Sequence, residues 1–316
     1  MNDFWLDGLL ADAATALGTT TLVLNPFLAV ILIGITCGSV GSTVLSNRMA
    51  FFSDAMAHTA FAGVALAVLS IILFAGIRST RAADEYLWII EPVMIVVGIL
   101  VGSAMVYVRE KSGLTNDTII GVFFAASVGF GTMLLPEVRR TVNLDPEQFL
   151  YGSIAVSTGE DLVRLAIPAL LVPLILCFRN NAMALASFNP TLARSRGLPI
   201  RFDSYLLVIL LAIVVNTSIR SVGVLLVNAL LIVPAAAAAN LGRNLREVFW
   251  WTILGTIACG VAGLALCHVI RIPLGSGRML DPAPSGTIVL TAVVWFFCGL
   301  LWASLRRRRT SRPAVS

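Results

Sequence analysis

The chain has 316 residues, of which 58% are hydrophobic and only 12% charged, and its mean hydropathy is +0.92. Soluble domains carry about 25% charged residues, so this composition excludes a water-soluble globular protein. The net charge is +5, and four arginines, 306–309, directly follow the last apolar run. This placement is typical of an anchor on the cytoplasmic side of a membrane rather than of a nucleic-acid-binding surface. We therefore predict an all-α, polytopic integral membrane helix bundle in contact with lipid.

The apolar segments divide the chain into three parts. Residues 1–25 are weakly amphipathic and form an N-terminal extension that we expect at the membrane interface, although a further helix there stays open. Residues 26–305 form the transmembrane domain, with about eight or nine helices, and residues 306–316 a basic cytoplasmic tail. The expected helices lie near 27–46, 54–76, 88–108, 117–135, 161–178, 203–219, 221–241, 248–270 and 287–305.

The distribution of basic residues predicts the orientation in the membrane. With the C-terminus inside, the inner segments contain 14 of the 22 lysines and arginines, which leaves 8 outside. This bias favours an N-terminus outside and a cytoplasmic C-terminus. Two connections are long. The outer one, 136–160, is expected to fold back over the mouth of the bundle, and the inner one is expected at 179–202.

Asp54 and His58 are an ionisable pair within an otherwise apolar segment. Residues four apart lie on one face of a helix, with Cβ atoms roughly 5–6 Å apart. A carboxylate oxygen and an imidazole nitrogen can bind one divalent transition metal, although the two groups could also satisfy each other. An ionisable residue in a membrane helix costs roughly 2.5–3.5 kcal/mol, which favours a functional role. A two-fold homodimer axis nearby would supply two such pairs to one metal ion.

The inner connection contains the signals of a short helix. Asn189 is a candidate N-cap, Pro190 suits the first helical position, and Gly197 followed by Pro199 would end the helix. A short basic helix on the cytoplasmic side suits docking to a peripheral partner. An ordered loop without such a role is the alternative.

Missing motifs exclude several activities. Lys111 is the only lysine, and no GxxxxGK(S/T) phosphate loop surrounds it, so the chain is not itself a P-loop ATPase. The sequence contains neither HExxH nor GxSxG, and His268 is expected to have a structural role. We therefore expect a protein that is not an enzyme and that holds no permanently bound cofactor.

Six segments in order carry a resemblance to a known family. The chain resembles the membrane permease subunits of bacterial zinc, manganese and iron ABC importers, the ABC-3 family, from about Pro26 to Trp302. The segments are SNRMAFFSDAMAHTAFAGVALA, NDTIIGVFFA, LDPEQFLYGSIAVSTGEDL, FNPTLARSRGLPI, VGVLLVNALLIVPAAAAANL and PSGTIVL. The sequence departs from the usual pattern of the family at Ser53, Ala57, Ala62, Ala237 and Ala239.

The resemblance implies a multi-pass protein of the bacterial plasma membrane that acts as a homodimer or pairs with a sister permease. It further implies a cytoplasmic ATPase subunit that binds ATP, and an external metal-binding protein that delivers zinc, manganese or iron. The metal pathway would then be lined by Asp54 and His58. Coupling to the ATPase would involve Asn189, Pro190, Ala193 and Gly197.

Two other classes of transporter stay open from the residues themselves. An ion-driven secondary transporter could use the Asp–His pair as both metal ligand and proton site, since histidine titrates near neutrality. An ABC permease for metal chelates or cobalamin would need a wider pathway without an intramembrane ligand. An intramembrane enzyme is disfavoured by the missing motifs.

Overall fold

The computed structural model describes residues 5–16, 20–75, 84–141, 158–242, 244–270, 272–274, 278–280 and 282–310. The helices are α1 (Trp5–Ala16), α2 (Thr21–Ser46), α3 (Ala50–Ala75), α4 (Ile90–Ser112) after a 3₁₀ turn at Asp84–Ile89, α5 (Asn116–Thr141), α6 (Gly159–Phe188), α7 (Pro190–Ser195), α8 (Ile200–Leu241), α9 (Leu245–Val269) and α10 (Pro284–Thr310). Two strands, β1 (Ile272–Leu274) and β2 (Arg278–Leu280), lie between α9 and α10.

Eight helices of the described residues, α2 to α6 and α8 to α10, are long and apolar enough to cross a membrane. The predicted all-α membrane bundle is therefore confirmed. Large apolar side chains such as Leu170, Phe178 and Leu290 are at least 66% exposed, as expected for surfaces in contact with lipid. Helix α1 has 12 residues, which is about 18 Å and too short to span the hydrocarbon core. Helix α2 begins at Thr21, within the predicted N-terminal extension.

Helix α8 is interrupted in the middle. It has 42 residues, and Gly223 within it has φ 80° and ψ 162°, a backbone region that is essentially restricted to glycine. A straight helix of this length would measure about 63 Å, roughly twice the hydrocarbon thickness of a membrane. The two segments 200–222 and 224–241 correspond to the two helices predicted at 203–219 and 221–241.

The chain forms two compact units. One contains Met1–Leu45, Ile154–Leu176 and Ala229–Ser316, and the other contains Ser46–Ser153 and Cys177–Asn228. In the first unit α9 packs against α10. In the second unit α3 packs against both α4 and α5. Helices α6 and α8 are each divided between the units. The first unit holds residues 159–176 and 229–241, and the second holds 177–188, all of α7 and 200–228.

Glycines on one face of α2 allow close helix packing in the first unit. A Cβ atom added at Gly38 would lie 2.7 Å from the Cα atom of Ile253 in α9. A Cβ atom added at Gly41 would lie 2.1 Å from the carbonyl oxygen of Leu231 in α8. Small residues of this kind let membrane helices approach until their backbones touch, because lipid provides no hydrophobic driving force between helices.

Three features differ from the sequence expectations. The inner connection is shorter than predicted, since α6 continues through 179–188. The antiparallel pair of β1 and β2, with Ile272 opposite Leu280, was not anticipated. Helix α5 runs beyond Pro136 to Thr141, so part of the predicted outer connection 136–160 is helical. Residues 142–157 of that connection lie outside the described residues. The expected fold over the mouth of the bundle falls in this part of the chain.

Replacing Gly41 by alanine is expected to destabilise the protein, because the new methyl group meets a backbone carbonyl that cannot rotate away. Overpacking of this kind costs about 1–3 kcal/mol. Gly129→Ala in α5 is the matched control, because a Cβ atom there meets nothing within 4 Å. The control should leave the free energy of unfolding unchanged or raise it by up to about 1 kcal/mol. Equal unfolding midpoints of the two variants in a detergent titration would contradict the packing described.

Candidate metal site

Asp54 and His58 lie side by side near the start of α3. Oδ1 of Asp54 is 3.9 Å from Nε2 of His58, and the two side chains are 47% and 25% exposed. This distance is too long for a hydrogen bond, so the two groups do not satisfy each other. Ligand atoms about 2.0–2.2 Å from one metal ion lie roughly 3–3.5 Å apart, so small side-chain rotations would bring both atoms onto one ion.

Asn228 completes this group from a distant part of the sequence. Its Nδ2 donates a hydrogen bond of 2.9 Å to Oδ1 of Asp54, across 174 residues. Its Oδ1 is buried and makes no hydrogen bond. Buried polar atoms are nearly always paired, and this amide oxygen, beside the Asp54 carboxylate, has the capacity to accept a cation or a hydrogen bond. Asn228 was not among the predicted site residues, although a lone amide within the apolar run VGVLLVNALLIVP was a visible signal.

The amide of Asn228 can act in two ways. A half-turn about its terminal bond exchanges the nitrogen and the oxygen. In one orientation the side chain donates to the Asp54 carboxylate, as observed. In the other it presents an oxygen to a cation held by that carboxylate. The three side chains together then offer two oxygen donors and one nitrogen donor, a set suited to a divalent transition metal.

Three side chains at or beside the site have contacts of their own. The ring of His58 meets the edge of Phe124 from α5, with centroids 4.5 Å apart and planes at 70°. The hydroxyl of Ser53 donates to the carbonyl of Ala50 at 2.7 Å, and that of Thr59 donates to Met56 at 2.6 Å. Both hydroxyls therefore bond within their own helix, and Ser53, a departure from the family pattern, adds no free donor to the site.

Other potential metal ligands do not gather elsewhere in the described residues. Across the described part of the chain, no group of three or more His, Cys, Asp or Glu residues could hold a metal ion. His268 belongs to the first unit, and its Nδ1 lies 2.9 Å from the carbonyl oxygen of Leu264. Its contacts fit the structural role expected for it.

The predicted short helix on the inner connection is present. Helix α7 begins at Pro190, and Oδ1 of Asn189 accepts a hydrogen bond of 3.0 Å from the amide of Leu192. Ala193 is fully buried, and Gly197 has φ 70°, the left-handed conformation that ends the turn. We call residues 189–197 the coupling segment. Its geometry confirms the predicted capped helix, while its role in docking stays a prediction.

A cavity of about 940 Å³ borders the coupling segment within the second unit. Its wall includes Met49, which precedes α3, and residues from the end of α4, from α7 and from the first turns of α8. Its charged lining residues are Arg109, Glu110, Arg194, Arg201 and Asp203. The cavity thus lies between the coupling segment and the start of the helix that carries Asp54.

Comparisons with known proteins agree on one family. A sequence model of the ABC 3 transport family matches residues 19–303. The manganese import system permease protein ScaB of Streptococcus parasanguinis is 29% identical over 286 residues, which covers 90% of this chain and 91% of that protein. The manganese transport system membrane protein MntC of Halalkalibacterium halodurans is 28% identical over 293 residues, with 91% and 92% covered. The structure of PsaBC from Streptococcus pneumoniae in complex with Fab gives a TM-score of 0.70 at 26% identity, over 88% of this chain and 91% of that one.

The contact between Asp54 and Asn228 should appear as an energetic coupling. In a double-mutant cycle of Asp54→Ala and Asn228→Ala, we expect a coupling of about 0.6–1.7 kcal/mol in the free energy of unfolding, the range of hydrogen bonds between membrane helices. Asn240→Ala is the control, because Asn240 is exposed and bonds only to Ala236 of its own helix. A coupling of Asp54 to Asn240 as large as that to Asn228 would contradict the assignment.

Proposed function

Because the chain belongs to the ABC 3 transport family, we propose that it is the membrane permease subunit of an ATP-binding-cassette importer for a divalent transition metal. The protein is a multi-pass component of the bacterial plasma membrane and a transporter subunit, not an enzyme. Membership of this family supports a cytoplasmic partner subunit that binds and hydrolyses ATP. The metal is the transported substrate.

The observation that supports this function most directly is the group formed by Asp54, His58 and Asn228. A carboxylate in a membrane helix lowers the stability of the inserted protein, so its presence favours a functional role. Here it lies 3.9 Å from an imidazole nitrogen and 2.9 Å from an amide whose oxygen has no partner. We propose that these three side chains bind the metal ion in transit.

Manganese is the substrate that we propose first. Carboxylate and amide oxygens suit Mn²⁺, and one imidazole nitrogen is compatible with Mn²⁺, Fe²⁺ and Zn²⁺. Two of the relatives, ScaB and MntC, are named as manganese permeases. Structural zinc sites, in contrast, are mostly built from cysteine and histidine.

Transport would then proceed by alternating access. A metal-loaded binding protein docks on the outer side, and the metal passes to the Asp54 site. The ATPase acts on the coupling segment through Asn189, Pro190, Ala193 and Gly197, and the site opens toward the cavity beside that segment. The site must bind the metal well enough to accept it and weakly enough to release it, the compromise that ion-conducting proteins share. This direction of movement assumes the predicted cytoplasmic C-terminus.

A second permease completes the assembly that we propose, either another copy of this chain or a sister subunit. Two Asp54–His58 pairs could then meet on a two-fold axis and share one metal ion. Asn228 offers a different way to complete the site, because it adds a third ligand from the same chain. The number of metal ions bound per permease dimer separates the two arrangements, with one ion for the shared site and two for separate sites.

The function is tested by uptake into proteoliposomes that contain the permease, its ATPase and its binding protein. We expect ATP-dependent uptake of Mn²⁺ in preference to Fe²⁺ and Zn²⁺. Asp54→Asn, His58→Ala and Asn228→Ala should each lower uptake at subsaturating metal by at least about tenfold, equivalent to 1.4 kcal/mol of lost binding. Asn240→Ala should remain within about twofold of the wild type, because surface substitutions cost little.

Three results would contradict the proposal. Uptake that is indifferent to ATP but driven by a pH gradient would indicate a secondary transporter. Uptake of a metal chelate, unaffected by Asp54→Asn, would indicate a chelate permease. Normal uptake by the Asp54→Ala, His58→Ala double variant would remove the metal site from the pathway.

A further inference from the structure

The first turn of α8 contains a buried ion pair with α6. Nε of Arg179 donates a hydrogen bond of 3.0 Å to Oδ1 of Asp203, and Nη2 of Arg179 donates to the same oxygen. Asp203 is only 3% exposed. The guanidinium also lies over the ring of Phe202, with its carbon 5.8 Å from the ring centroid. Loss of Arg179 would leave the buried charge of Asp203 without compensation, whereas the side chain of Arg179 is itself 31% exposed.

The same turn is also attached to α4. Nε of Arg201 lies 3.7 Å from Oε2 of Glu110, and Nη2 of Arg109 donates a 3.5 Å hydrogen bond to the hydroxyl of Ser204. The pair with Glu110 is largely exposed, since the side chain of Arg201 is 86% accessible. Exposed pairs contribute little energy. Among these attachments, the buried bond to Arg179 is therefore the strongest.

The ion pair closes the chain around the coupling segment. Arg179 precedes that segment and Asp203 follows it, 24 residues later. Within the enclosed stretch, the backbone N–H of Asn189 donates to the carbonyl of Leu185 at 2.9 Å. The backbone N–H of Leu198 donates to the carbonyl of Ala193 at 3.1 Å. The coupling segment is thus hydrogen-bonded to the residues on either side of it, and the ion pair joins the two helices that flank it.

The first half of α8 runs from this ion pair toward the stretch that carries Asn228. Residues 200–222 form the first half of α8, and the helical conformation is interrupted only at Gly223. Asn228, which donates to Asp54, follows five residues later. When the first half moves as a rigid body, the backbone angles change at Gly223. This glycine lies five residues before Asn228, which contacts the Asp54 carboxylate.

We infer that Arg179 and Asp203 are positioning residues that make the coupling segment and the first half of α8 move as one body, so that movement of the ATPase changes the Asp54 site. This inference rests on the proposed function. Neither residue touches the metal. Without the pair, the coupling segment could move while α8 stays in place, and ATP would be hydrolysed without transport.

The number of metal ions imported per ATP hydrolysed tests this role in the complete transporter. Asp203→Asn and Arg179→Gln remove one charge with little change in shape. Each should lower the ratio by at least about fivefold, the lower end of ordinary coupling between sites, while ATP hydrolysis continues. The exchange Arg179→Asp with Asp203→Arg should recover part of the lost ratio, because it restores an ion pair at the same place.

Arg201→Gln is the matched control, since it removes a charge from the same helical turn at an exposed position. Its ratio should remain within about twofold of the wild type. Unchanged ratios in Asp203→Asn and Arg179→Gln would overturn the inference. The absence of ATP-dependent uptake in the wild type would instead overturn the proposed function.

A distance measurement tests the inference even if the charge variants fail to assemble. Spin labels are placed at Arg196 in the coupling segment and at Arg220 near the end of the first half of α8, both of which are exposed. The five native cysteines are replaced beforehand. The inference predicts the same peak distance between the labels in the nucleotide-free and ATP-bound transporter. A peak that shifts between the two states would show that the segments move separately and would overturn it.

Discussion

The carboxylate of Asp54 sets the main constraint on this structure. A charged group in a membrane helix costs roughly 2.5–3.5 kcal/mol at the helix centre on insertion scales, and polar contacts lower the cost for Asp54, which lies near the start of α3. Here the amide of Asn228 donates to it, and the imidazole of His58 lies 3.9 Å away. The amide oxygen of Asn228 is buried and makes no hydrogen bond. A divalent cation would satisfy the carboxylate, the imidazole and the amide together.

The interruption of α8 at Gly223 lies five residues before Asn228. A change of backbone angles there would move Asn228 relative to Asp54. Broken helices in transporters commonly border substrate sites, since they expose polar groups and permit movement at a defined point. Gly223 separates a first half, fixed at its base by Arg179 and Asp203, from the stretch that carries Asn228. The proposed metal contact at Asn228 and the proposed contact with the ATPase therefore lie on opposite sides of this interruption.

The sequence predicted those features that depend on neighbouring residues. Long apolar runs revealed the membrane helices, helical periodicity placed Asp54 beside His58, and Asn189, Pro190 and Gly197 predicted the coupling segment. Contacts between distant residues were not predictable. Asn228 meets Asp54 across 174 residues, and although its amide stands out in an apolar run, the sequence does not indicate which residue it contacts. Arg179 was assigned to a connection, because its charge ends an apolar run, yet pairing with Asp203 lets α6 continue to Phe188.

The central claim is that Asp54, His58 and Asn228 bind the transported metal. Pulsed electron paramagnetic resonance of Mn²⁺ bound to the purified transporter tests it directly, because an imidazole nitrogen on the metal modulates the electron spin echo. The chain has only two histidines, His58 and His268, so the signal can be assigned within it. We predict nitrogen modulation in the wild type and in His268→Ala, and its loss in His58→Ala. Modulation that persists in His58→Ala would contradict the site.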